Sequence, residues 1–82
     1  MRTPAEGKAV HRISNTGTQP AVIVLEPWGG EYDIDPNQAL ELVVEGRLEA
    51  RLEIEIEDNR LTIISDGPDL RITRDGKPVA AR

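Results

Sequence analysis

Residues able to carry chemistry are few in this chain of 82. His11 is the only histidine, and there is no cysteine. A nucleophilic triad needs a base beside its nucleophile, and His11 is the only ordinary base for Ser14, Ser65 or the threonines. Ser14 lies three residues on, and residues three apart on a strand point to opposite faces. Proximity in sequence therefore makes no dyad, and a hydrolase centred on His11 is the weakest reading. With no cysteine or second histidine, a zinc or copper site would need carboxylates to complete it.

Carboxylates are plentiful but poorly placed for catalysis. Glu49, Glu53, Glu55 and Glu57 form a row on one strand face, with same-face neighbours about 6.5–7 Å apart. Paired carboxylates can act as general acid and base or hold a hard cation. Arg51 interrupts this row, and a flat solvated face cannot tune proton affinity as a cleft can. Asp33-Ile34-Asp35-Pro36-Asn37 has the opening of a calcium loop, but that loop needs glycine at its sixth position and glutamate at its twelfth. Gln38 and Val44 stand there, so the segment reads as a β-turn. Gly29-Gly30 lacks the lysine and helix of a phosphate loop. The expectation is no catalytic, cofactor-binding or metal site, and no enzyme.

One segment remains. Glu26-Pro27-Trp28-Gly29-Gly30-Glu31-Tyr32 holds both aromatic residues of the protein within five positions. Trp and Tyr combine large apolar area with a polar tip, which suits contact with a partner or ligand. Glycines beside the Trp allow a sharp turn or a close approach. Trp28, Gly29, Gly30, Glu31 and Tyr32 are therefore the candidate interaction residues. The competing reading makes Trp28 a cap on the core, with Tyr32 packed along its strand.

The elements that position this segment follow from turns and alternation. Breaks at Asn15-Thr16-Gly17, Trp28-Gly29-Gly30, Asp35-Pro36-Asn37, Glu45-Gly46, Asp58-Asn59, Asp66-Gly67-Pro68 and Asp75-Gly76 recur every eight to twelve residues, the spacing of a sandwich or small barrel. Strands are expected near 8–14, 19–26, 31–35, 39–45, 47–57, 60–65, 69–74 and 77–80, with residues 1–7 a loose tail. From Arg47 to Glu57, Leu48, Ala50, Leu52, Ile54 and Ile56 alternate with charged residues, which puts one face in a core and one in water. A two-residue turn at Asp58-Asn59, whose side chains tolerate positive φ, sets Glu57 opposite Arg60, Ile56 opposite Leu61, Glu55 opposite Thr62 and Ile54 opposite Ile63. A turn at Asp75-Gly76 sets Ile72 opposite Val79 and Leu70 opposite Ala81, with Pro78 marking an edge. The predicted fold is all-β: one antiparallel β-sandwich or partly open barrel of seven to eight short strands. Ala21 to Leu25 is apolar on both faces, so this strand is either central and covered twice or lends a face to an oligomer.

Charge bounds the partners. The net charge is −5, yet residues 26–58 carry eleven Asp or Glu against two Arg, while both flanks are slightly basic. That centre repels phosphate, so no nucleic acid is expected. The asymmetry fits cross-strand pairing, or an acidic face that meets a basic partner protein. The longest apolar run, Ala21–Leu25, is far short of a membrane span, and the first eight residues hold no signal-like stretch. The expectation is a cytoplasmic protein.

Residues 14–46 also resemble small, uncharacterised bacterial all-β proteins. The shared pattern is an Asn-containing turn, an apolar strand, Glu26-Pro27-Trp28-Gly29, a short strand, a Pro-containing turn and a final apolar strand. Many of them carry Pro-Gly where this chain has Pro36-Asn37. The resemblance implies a sandwich-like fold and no activity. For function, the residues lead to a non-enzymatic protein-interaction module that binds a protein partner or self-associates. The alternative is a β domain for a small ligand or cation.

Overall fold

A computed structural model describes residues 6–47 and 51–82. Eight strands follow one another: β1 (Glu6–Ser14), β2 (Ala21–Glu26), β3 (Gly30–Ile34), β4 (Ala39–Arg47), β5 (Leu52–Glu57), β6 (Arg60–Ser65), β7 (Asp69–Arg74) and β8 (Lys77–Pro78). They form two four-stranded sheets, ordered β1-β4-β7-β8 and β3-β2-β6-β5. The all-β sandwich holds, and no helix among the described residues is long and apolar enough to cross a membrane. Between the sheets lie Ile23 and Leu25 of β2, Ile34 of β3, Leu40, Leu42 and Val44 of β4, Ile63 of β6, and Leu70 and Ile72 of β7. These are every-second-residue positions, so alternation delivers the core.

The first sheet is antiparallel throughout. The second departs from the antiparallel expectation, because β2 and β6 run parallel, from Val22 opposite Arg60 to Glu26 opposite Ile64. Each enters that sheet from the same end, β2 by crossing over from β1 and β6 by a hairpin from β5. Asn15 fastens the crossing. Its amide nitrogen donates to the carbonyls of Gln19 and Ile34, both at 2.9 Å, and its backbone exchanges hydrogen bonds with the Asp35–Gln38 turn.

Both hairpin registers are as expected near their turns. Glu57, Ile56, Glu55 and Ile54 face Arg60, Leu61, Thr62 and Ile63. Asp58 and Asn59, however, make that turn without positive φ, whereas Asp75 and Gly76 have φ of 51° and 81°, as a tight hairpin turn prefers. After it, the Val79 amide donates to the Ile72 carbonyl at 3.1 Å. Ala81 does not reach Leu70. The chain leaves β7 and crosses to the other sheet, where the Arg82 amide donates to the Glu31 carbonyl at 2.7 Å. That crossing ties the β7–β8 side of one sheet to the β3 side of the other, so β1 and β5 share the opposite side.

Four further expectations are corrected. Gly46 is no break: β4 runs through it to Arg47, because glycine alone accepts its φ of 127° there. Of the tail expected over residues 1–7, Glu6 and Gly7 instead pair with Arg47 and Gly46 in β1, while residues 1–5 lie outside the described residues. Of the strand expected over 47–57, Arg47 instead ends β4 and Arg51 lies in no strand, so β5 begins at Leu52, while Leu48, Glu49 and Ala50 lie outside the described residues. Finally, the apolar face of β5 is only partly in the core: Leu52 packs against it, but Ile54 is 56% and Ile56 77% exposed. The cause is overhang. Ile13 of β1 lines one small hollow with Leu61 of β6 and Ile23 of β2, so β1 lies above those strands and, among the described residues, β5 extends one strand beyond it.

β2 resolves its two apolar faces within one chain. Ile23 and Leu25 face the core, and Val24 on the outer face is only 4% exposed. Arg60 of β6 and Glu31 of β3 flank β2 and pair at 3.7 Å, so their side chains cross above Val22 and Val24. A single chain supplies the cover.

Candidate functional site

The Trp28 segment is the connection between β2 and β3. Pro27, Trp28 and Gly29 form the turn, behind a cis Glu26–Pro27 peptide, and Gly29 takes φ of 80° while its amide donates to the Leu25 carbonyl at 2.6 Å. Trp28 is left 53% exposed, so the capping reading fails for it: a cap would be buried. Tyr32 behaves as the packing reading requires, half-buried against the core cluster. Its hydroxyl lies 3.2 Å from where a Cβ on Gly30 would stand. Any larger residue at position 30 would push the ring away.

Trp28, Gly30 and Tyr32 open onto a cleft of about 310 Å³, completed by Leu25 of β2, Glu45 of β4, and Asp69, Leu70 and Arg71 of β7. The departure of the C-terminal tail from β7 leaves this space. β8 pairs only with Thr73 and Arg74, so among the described residues no strand lies beside Asp69–Arg71 on that side. Backbone groups alternate in direction along a strand. Since the Ile72 carbonyl points to Val79, the peptide groups of Leu70 point the same way, toward the cleft. A second hollow of about 290 Å³ adjoins it, sharing Tyr32, Leu70 and Arg71 and continuing to Pro78 and Val79.

The charges of the cleft are unequal. Arg71 pairs with Glu45, and among the described residues Asp69 is the cleft carboxylate without an ion pair. Glu31, expected in the site, points away to the outer face of its sheet. There it accepts from Arg82 at 3.2 Å and pairs with Arg60, while Arg82 also reaches Asp33 at 3.2 Å. Of the five candidates, Trp28, Gly30 and Tyr32 come together, Gly29 shapes the turn and Glu31 does not take part. Sequence reasoning missed Glu45, Asp69, Leu70 and Arg71, because they reach the cleft only through the packing of β7 beside the β2–β3 turn.

Two carboxyls elsewhere have displaced proton affinities. Glu41 is held below the ordinary carboxyl range, first by the Thr73 hydroxyl at 2.5 Å and then by the Gly76 amide at 3.0 Å. Glu55 is raised, first by a hydrogen bond with Glu53 and then by the charge of Glu53, some desolvation, and the charges of Glu26 and Glu57. Neither lines the cleft. Among the described residues no three His, Cys, Asp or Glu converge as metal ligands. His11 and Ser14 lie on opposite faces of β1, as the alternation requires. No family model, curated protein or solved structure matches the chain.

Proposed function

We propose that this chain is a non-enzymatic interaction module whose cleft takes an extended, basic segment of a partner protein. The observation that carries the reading is an exposed tryptophan at the mouth of a preformed cleft. An extended segment beside Leu70 would find backbone groups with no neighbouring strand, the usual basis of strand addition. A lysine or arginine on that segment could lay its stem on Trp28, which favours cations over its face, and direct its charge to Asp69. The acidic middle of the chain would steer such a partner inward.

The test uses the only tryptophan as its own reporter. Titrating the full chain with extended peptides should blue-shift and quench Trp28 emission for lysine- or arginine-containing sequences. Acidic counterparts should leave it unmoved. Asp69→Asn should weaken the response, while an unchanged spectrum across the basic set would defeat the proposal. A second reading, a small-ligand domain, draws on the cleft volume, which lies at the lower bound of ligand pockets, about 300 Å³. A thermal-shift screen against small amines and cations tests it, because a true ligand raises Tm by mass action.

A further inference from the structure

We propose that two copies of this chain join across their open sides, each β5 lying beside the other copy's β1. This develops the self-association half of the interaction reading and does not involve the Trp28 cleft. Both strands are edges and share one side of the sandwich, as shown above. β5 overhangs by one strand width, with Ile54 and Ile56 turned inward and uncovered. A two-fold axis along the strands would stack the two overhangs, Ile54 and Ile56 of one copy against the same residues of the other. It would also bring each β5 level with the partner's β1.

Charge selects this arrangement over its rivals. The outer face of β5 presents Glu53, Glu55 and Glu57, and the outer face of β1 presents Lys8 and Arg12 around Val10. Pairing β5 with β5, or β1 with β1, sets like charges opposite, which is unfavourable across strands. Pairing β1 with β5 sets Lys8 and Arg12 against the glutamates. Direction agrees as well. Glu6 begins β1 opposite Arg47, Leu52 begins β5 opposite Ser65, and a Cβ on Gly46 would touch Pro68, whose carbonyl accepts from the Ser65 hydroxyl. Both strands therefore start at the same end, and an axis along them preserves that sense, giving a parallel pair. The contact is closed because each copy uses the same surface. It also hides two strand edges that would otherwise invite aggregation.

The experiment is sedimentation of the full chain from micromolar to several hundred micromolar. The expected species is twice the 9.0 kDa chain. Ile54→Lys with Ile56→Lys should give a monomer with unchanged circular dichroism, since both residues are exposed in the single chain. A charge-swap pair then fixes the partners. Lys8→Glu with Arg12→Glu, and separately Glu53→Lys with Glu55→Lys, should each be monomeric alone and dimeric when mixed, because mixing restores both β1–β5 contacts. A monomer at every concentration for the natural sequence overturns the proposal. So does a dimer that survives the isoleucine changes, a charge-swapped chain that dimerises by itself, or growth into open polymers. Trp28→Ala should leave the dimer intact, so failure of the cleft reading and failure of this one are separately visible.

Discussion

Ile63→Ala and Ile56→Ala, compared at low micromolar concentration, test the architecture most directly. The two isoleucines sit on the same face of neighbouring strands. The structure makes them unequal, since Ile63 is fully buried and Ile56 is 77% exposed. Truncating a buried isoleucine costs about 2–5 kcal/mol, and the packed centre around Ile63 argues for about 3 kcal/mol. A chain this size has a total stability of about 4–12 kcal/mol, so the loss is a large share. At about 4–8 °C per kcal/mol, Tm should fall by about 12–24 °C. Ile56 keeps under a quarter of its surface from water, and full burial is worth about 1.5–3 kcal/mol, so its truncation should cost about 0.5 kcal/mol through burial. Both changes give up the same strand propensity, so their difference isolates burial. Urea unfolding followed by circular dichroism measures it. Equal costs would mean that β5 is covered in the monomer and that the overhang is wrong.

Two further expectations concern pH. Glu41 has a folded pKa below its ordinary 4.5, so its stabilisation is present above that value and is lost as pH falls through the folded one. Thr73→Val removes the largest cause, so Tm should drop at pH 7 and the gap should narrow in acid; a constant gap would assign the loss to packing instead. Glu55 has a raised folded pKa, so its contribution is present below the ordinary value and is lost as pH rises through the folded one. Glu55→Gln should therefore raise Tm at pH 7 and converge on the parent near pH 4, and an equal or lower Tm at neutral pH would count against the crowding.

What the sequence shows and hides can be traced residue by residue. Alternation from Leu52 to Glu57 establishes an extended strand and sorts its faces, but only tertiary placement says whether anything lies over Ile54 and Ile56. Glycine at 46 reads as punctuation because turns and bulges use the same residue, and the strand through it depends on its pairing with Gly7. Val24 reads as needing a second layer because the reach of Arg60 and Glu31 across β2 requires the strand order. In the site, Trp28 and Tyr32 stand out by type alone. Asp69, Leu70 and Arg71 do not, because their role comes from a tail that turns away after Val79.

The order of the strands carries a consequence for how this molecule comes apart. Residues 6–47 contribute β1 and β4 to one sheet and β2 and β3 to the other, and residues 51–82 contribute β7 and β8, and β5 and β6. Each half alone is a pair of two-stranded ribbons, and such ribbons are marginal in water. They meet along two seams, β4 against β7 and β2 against β6. Cooperative unfolding is thus wired into the topology. Two separately produced fragments, cut between Arg47 and Arg51, would be soft on their own and firm only as a reassembled whole.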